Sequence, residues 1–389
     1  MNICLKNRRN ASLTIGGTFA IAVSLLLFMM PYLLTAHNSA TPPVSCSGVE
    51  SDVQLVTVLT STNTYTYYFP AVFLDYYVPM WQLLGLGESN VKDVAIDPTT
   101  SGVLYAATTD QQGIFKSADS GNNWYRVSNG LRNNVRVTQV TVDPNQSLEV
   151  YVTAPSYPRF YRSENGGQSW QPGGDIPLIP TVLSAHPAIA DRLFVGVGVW
   201  DVWGGGGWLC KSDDGGLNWT VVITQQVLAS SIAASVLDPS LVYVGGNGLY
   251  RSQDGGDSFT SLTSSLPFSQ VEAVAIHPTN PFTAYVGTEA GIFKTNDGGD
   301  SWLWWSEQPP YRIQKLLVNP HSPEIQYIAS RDCGGVYIST DEGRHWHPIN
   351  TGLGSFCVND LELNNEFTHL YAATSNGIWI LDLTDGGKQ

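Results

Sequence analysis

The chain has 389 residues, with 38 Gly, 22 Pro, 12 Trp and 18 Tyr, 13% charged residues and a net charge of −14. At 43% hydrophobic it buries a large core and is not a disordered chain, and length alone suggests two or three domains. The acidic balance argues against nucleic acid, because phosphate binding needs clustered Lys and Arg and none occurs beyond the first ten residues.

Residues 1–10 carry Lys6, Arg8 and Arg9 and read as a cytoplasmic tail. Residues 11–36 follow as an almost uncharged run whose apolar part, Ile15–Leu34, is long enough to cross a bilayer as a helix. The expectation is an uncleaved transmembrane anchor with the rest of the chain extracytoplasmic, at the cell surface or in the periplasm. Signal cleavage near Ala36 or Ala40 is the alternative. Residues 37–79 form a linker. It starts polar and Pro-containing and continues through Val53–Leu59 and the aromatic run Tyr65–Tyr77, read as extended structure.

One motif then recurs six times: Ser or Thr, any, Asp or Asn, any, Gly, any, any, Trp or Phe. Its acidic or amide members are Asp119, Asn165, Asp214, Asp254, Asp297 and Asp341, and successive starts lie 46, 49, 40, 43 and 44 residues apart. A fixed period of this size means a solenoid, a propeller or an array. Each unit reads as four short strands, as in Val91–Ile96, Val103–Ala107, Gly113–Lys116 and Trp124–Val127, with a turn such as Asp97-Pro98 after the first. After the sixth motif three strands remain without a fourth, while residues 80–86 are an orphan fourth strand at the other end. Joining them completes seven blades and pairs two open edges. The fold is therefore expected to be all-β: a seven-bladed propeller of four-stranded antiparallel blades over residues 80–383, preceded by the transmembrane helix and followed by a tail, 384–389.

Within each motif the Ser and Asp side chains are expected to bond to backbone two residues on, with Gly supplying positive φ and Trp filling the space between sheets. A metal site is not expected. Calcium loops need alternating oxygens and a distal Glu, and His345 and His347, read as sharing one face of a strand, have no third ligand. His186 and His277 stand where Asp precedes Pro in other units, which is a structural role.

The six motifs resemble the Asp-box (BNR) repeat, over about residues 80–383. Their layout resembles photosystem II stability and assembly factors and the N-terminal part of sortilins. That resemblance implies a propeller, but the box also occurs in sialidases and xyloglucan hydrolases, so it leaves function open. A sialidase would need an arginine triad and an Arg-Ile-Pro element. No Arg lies between Arg9 and Arg126, and Arg312-Ile313 is followed by Gln314.

In a propeller the loops joining strands one to two and three to four share one face, which carries the boxes. The remaining loops share the other face, the natural ligand surface on a repeated scaffold. There, Trp200, Asp201, Trp203 and Trp208 surround a glycine run, and Trp304, Trp305 and Tyr311 form a second aromatic group. Alternation places at least one of the latter Trp inward. These are the candidate partner or glycan contacts. Cys333 and Cys357 should meet on this face as a disulfide, while Cys210 takes the core position of Phe115.

A glycosidase needs two carboxylates ~5–9.5 Å apart. The candidates Asp110, Asp201, Glu289, Glu307 and Asp332 are spread over several blades, so no catalytic residue is assigned and no cofactor is implied. The leading expectation is a non-enzymatic, membrane-anchored scaffold that binds a protein or assists assembly. The alternative is a carbohydrate-binding or glycoside-hydrolase-like propeller.

Overall fold

A computed structural model describes residues 80–384 apart from 111, 200–205, 225–226, 268 and 307–311, together with the backbone strands Val53–Leu59 and Thr64–Pro70. The chain divides into two compact units, Met1–Tyr77 and Val78–Gln389. In the first, the two strands pair antiparallel, from Val53 opposite Pro70 to Leu59 opposite Thr64. The expected anchor at 11–36 lies outside the described residues. Among the described residues no helix is long and apolar enough to cross a membrane.

The second unit is a seven-bladed propeller of four-stranded antiparallel sheets. Blade 1 takes Val91–Ile96, Leu104–Thr108, Gly113–Ser117 and Tyr125–Arg126, and blades 2 to 6 repeat that order from Gln139 to Pro348. Blade 7 adds Gln82–Gly85 to Val358–Leu363, His369–Thr374 and Gly377–Asp382, with Gln82 opposite Ile380. The ring is closed by its own first strand. Trp81 locks the join: it is buried, and its Nε1 donates to the Ile349 carbonyl at 2.6 Å.

The first strands of adjacent blades touch one another around a central channel of about 570 Å³. Second strands such as Leu104–Thr108 and Ala284–Thr288 are wholly buried, because apolar residues on both of their faces pack against neighbouring blades. In blades 1, 3, 5, 6 and 7 the first strand carries a bulge near its start, between Val91 and Asp93 in blade 1 and between Val271 and Ala273 in blade 5. In blades 3, 5 and 7 the extra residue, Thr181, Glu272 or Asn359, bonds the next blade with its side chain.

The boxes make the expected bond to backbone two residues on, Asp119 N–H to Ser117 Oγ at 3.3 Å, and add stronger ones of longer reach. Ser117 Oγ donates to Asp119 Oδ1 at 2.8 Å and accepts the Gly121 N–H at 2.8 Å, while Asp119 Oδ1 accepts the Asn123 N–H at 2.8 Å. The main reach is therefore four residues, and it repeats at Ser163, Ser212, Ser252, Thr295 and Ser339. Gly121 sits at φ 92° directly against Leu84 of blade 7, where a Cβ would have no room.

The reading of His345 and His347 on one strand face is corrected. His345 belongs to the sixth box, its Nδ1 2.6 Å from Asp341 Oδ2, and the strand begins only at His347. His186 does replace Asp before Pro: its Nδ1 accepts the Ala188 N–H at 3.1 Å, as Asp143 Oδ1 accepts that of Asn145 at 2.8 Å.

The box aromatics lie between blades as expected. Trp302 of blade 5 meets Tyr243 of blade 4 edge-on at 6.1 Å, and Trp219 meets Phe160 of blade 2 at 5.1 Å. Trp170 and Trp302 are buried, whereas Trp124, Trp219 and Trp346 are half-buried. Trp302→Ala is expected to cost about 3–5 kcal/mol, measured as a lower denaturant midpoint at unchanged slope.

Candidate functional site

On the face opposite the boxes, the described members of the first aromatic group reduce to Trp208, at the start of the third strand of blade 3 and 36% exposed. Trp200, Asp201 and Trp203 lie outside the described residues, as do Glu307 and Tyr311. Trp304 and Trp305 separate as alternation requires. Trp304 is 57% exposed. Trp305 donates Nε1 to the Glu342 carbonyl at 2.7 Å, with Lys294 Nζ 4.2 Å and Arg344 Cζ 4.3 Å from its ring centre. Trp305 is thus a structural contact between blade 5 and the sixth box, so this pair lies at the box end and not on the opposite face where it was expected, and of the two only Trp304 is offered to solvent.

Cys333 and Cys357 form a disulfide that ties the second-to-third-strand loop of blade 6 to the connection into blade 7. Cys210 is a buried free thiol whose pKa burial raises to about 11. Three further residues share the face with the disulfide. Tyr157 and Phe356 are exposed, and Arg132 Nη1 donates to the Tyr157 carbonyl at 3.0 Å. Arg136, Arg312 and Arg331 come from loops of the same face. Composition did not reveal this gathering of Arg, because the boxes on the other face hold so much of the acid.

The carboxylates that the fold does bring together lie in the channel wall. Lys315 Nζ is 2.9 Å from both Asp360 Oδ1 and Glu362 Oε1. Asp93 Oδ2 accepts the Val140 N–H at 2.8 Å, and Asp360 Oδ2 that of Val94 at 3.5 Å. Burial, the Asp360 charge and a hydrogen bond shared with Asp360 push the Asp93 carboxyl well above the ordinary carboxylate range. Burial likewise raises Glu362, against the pull of Lys315. Glu272 is similarly committed, accepting the Ile313 N–H at 3.0 Å and paired with Arg312. Asp93 and Asp360 are in hydrogen-bond contact, closer than the separation that a glycosidic bond and its water require.

Of the exposed candidates, Asp110, Glu289 and Asp332 sit on hairpin tips of blades 1, 5 and 6. Asp110 accepts from Gln112 Nε2 at 3.1 Å, and Asp332, at φ 59°, precedes the disulfide. The fold leaves them on separate blades. Among the described residues no group of three or more His, Cys, Asp or Glu is placed to hold a metal ion.

Comparison with known proteins agrees with this architecture. Residues 247–377 match the Sortilin-Vps10 family (sortilin, neurotensin receptor 3). The chain is an Asp-box propeller, similar to photosystem II assembly factors and to sortilin. A photosystem II assembly protein, Ycf48 of a Synechococcus species, is 28% identical over 148 residues, 36% of this chain and 42% of that protein. A xyloglucanase of a Paenibacillus species is 25% identical over 304 residues, 72% of this chain and 28% of that protein. A xyloglucanase of Hypocrea jecorina is 40% identical over 81 residues, 21% of this chain and 9% of that protein. The matches span less than half of each of these relatives.

Among solved structures, YCF48 from Cyanidioschyzon merolae superimposes with a TM-score of 0.58 at 15% identity, covering 79% of this chain and 99% of that one. YCF48 bound to a D1 peptide gives 0.59 at 15%, covering 80% and 98%. The Niastella koreensis GH74 enzyme gives 0.60 at 17%, covering 78% and 54%. At these identities the likeness is one of fold.

The channel cluster of the Asp-box propeller makes a pH-dependent contribution of definite sign. Asp93 keeps its proton to a higher pH folded than unfolded, where its value is near 3.8. Its contribution is therefore complete below that pH and is lost as pH rises through the folded value. Asp93→Asn keeps both hydrogen bonds without titrating. The thermal midpoint of this variant relative to the parent is expected to rise between pH 4 and 7, and calorimetry across that range reads it.

Proposed function

We propose that this chain is a non-enzymatic binding propeller that docks a protein partner on the face opposite its boxes, held at the outer surface of a membrane by residues 11–36. The observation that carries this reading is the commitment of the clustered carboxylates. Asp93, Asp360, Glu362 and Glu272 are engaged with backbone N–H groups or with Lys315 and Arg312, and hold blades together. The docking face instead offers exposed Trp208, Tyr157 and Phe356 among Arg132, Arg136, Arg312 and Arg331. Aromatic and Arg side chains together are the usual composition of binding hot spots.

Two observations support the extracytoplasmic placement. The Cys333–Cys357 disulfide persists in oxidising compartments. The apolar run Ile15–Leu34 follows three basic residues, as in an anchor with its N-terminus inside. YCF48 is known bound to a D1 peptide, and its single ring is matched almost throughout. For this chain the partner's identity is left to experiment. The second reading, glycan binding, is favoured by exposed Trp208 and by the xyloglucanase relatives.

Photo-crosslinkers at Trp208, Phe356 and Arg136 in the anchored protein, in its native membrane, are expected to capture one protein. The same probe at Leu217 on the box face is expected to capture none. Absence of a protein adduct from all three positions, with retention on immobilised xyloglucan oligosaccharides, would establish the glycan reading instead.

A further inference from the structure

In five blades a cation occupies the position before the box Ser or Thr and stands opposite an aromatic residue of the second strand. The pairs are Lys116 with Tyr105, Arg162 with Tyr151, Lys211 with Phe194, Arg251 with Tyr243 and Lys294 with Tyr285. Each cation reaches into the box of the following blade. Lys116 Nζ donates to the Gly166 carbonyl at 2.8 Å and lies 5.0 Å from the Tyr105 ring centre. Arg162 reaches the Asp214 carbonyl, Lys211 pairs with Asp257, Arg251 is 2.7 Å from Asp300, and Lys294 is 2.7 Å from Glu342. Each socket pairs the cation with an aromatic residue of the second strand and ends it on a turn oxygen or carboxylate of the next box, and in blades 1 and 5 the cation lies over the ring itself.

Blades 6 and 7 break the series, with Ile338 opposite Tyr327 and Ile380 opposite Tyr371. Between blades 6 and 7 the space is filled, because Leu317, Ile325, Ile338 and Leu383 pack around Tyr327. Between blades 7 and 1 it is not. A cavity of about 280 Å³ remains, with Ile96, Leu104, Tyr371 and Ile380 along its apolar part and Ser120 and Glu366 at its polar end. Ser120 holds the same place in its box as Gly166 does in the next. Its N–H donates to the Gly102 carbonyl as that of Gly166 does to Leu148, so its own carbonyl corresponds to the one that receives Lys116.

We propose that the junction of blades 7 and 1 is a binding site for a cation on an apolar stem, an ammonium or guanidinium group, supplied by a ligand where five of the other six junctions supply their own. The Tyr371 ring, the Ser120 carbonyl and the Glu366 carboxylate recognise the charge. Ile96, Leu104 and Ile380 take the stem. Glu366 is held in place by Ser101 Oγ at 2.9 Å and Asn364 Nδ2 at 2.8 Å, which leaves its charge near the cavity. Its influence is felt by Tyr371, whose hydroxyl is raised first by burial and then by the Glu366 charge. The volume lies just below the roughly 300 Å³ at which small-molecule pockets begin. A lysine side chain of a partner and a free alkylamine share this chemistry.

Saturation-transfer NMR with butylammonium, using 1-butanol as the neutral isostere, tests the site. The ammonium is expected to bind roughly tenfold better than the alcohol. Glu366→Gln should narrow that ratio. Ile380→Lys rebuilds the internal cation of the sister blades, so it should abolish butylammonium binding while raising the thermal midpoint. Equal binding of the two probes, no binding of either, or unchanged binding to Ile380→Lys would each overturn the proposal. A tripeptide with blocked ends and a central lysine separates the sources. Its binding identifies a protein side chain as the ligand type, and binding of butylammonium alone identifies a free amine.

Discussion

A ring of sheets has seven inner edges, and each first strand presents backbone groups to the channel that no further strand will pair. Everything else depends on how those edges are joined. Side chains of the first strands do it. Asp93 accepts from Val140 N–H, Gln139 donates to the Thr181 carbonyl, and Thr181 donates to that of Ala229. Ser231 accepts from Val274 N–H, Glu272 from Ile313 N–H and Asp360 from Val94 N–H, while Lys315 spans to Glu362. The junctions vary in their pairings, with Asp accepting a Val N–H at two of them, but each satisfies a polar group across a junction that hydrophobic contact alone would leave free to slide. The bulges matter for the same reason: they bring Thr181 and Glu272 into reach of the neighbouring blade.

This assigns a place to much of the chain's charge. Boxes hold acids by local turn bonds. Seen from outside, a chain with 33 acidic residues suggests a uniformly acidic surface, yet the acids concentrate at the boxes and in the channel. The face opposite the boxes receives exposed Arg132, Arg136, Tyr157, Arg312 and Phe356 from four of the connecting loops, beside the carboxylates Asp110, Glu289 and Asp332. A protein that is acidic by count can therefore present a face of mixed charge.

How legible this was depended on range. The boxes, the pre-proline turns and the strand order recur every 40–49 residues, so the blade and its count could be read from spacing. The orphan strand could be read because two open edges needed each other, and the disulfide because topology sent both cysteines to one face. The channel cluster was not legible. Asp93, Lys315 and Asp360 come from blades 1, 6 and 7 and belong to no local pattern. The cation before the Ser or Thr of the first five boxes lay in plain view as Lys116, Arg162, Lys211, Arg251 and Lys294. Its meaning needed the structure, because its partner is in the next repeat. His345 was misplaced for a simpler reason: a box turn uses its last residues as acceptors' partners, which delays the strand.

Closure by the first strand also sets the order in which the protein can mature. Gln82 waits for Ile380, which emerges from the ribosome about 300 residues later. At 5–20 residues per second that interval is roughly 15 to 60 s. Over that interval the blades accumulate, up to six, as an open arc with an unpaired strand at the leading end, an invitation to pair with a second nascent chain. Whatever accompanies this chain as it folds must therefore shield one short segment, Met80–Leu86, until the last blade arrives.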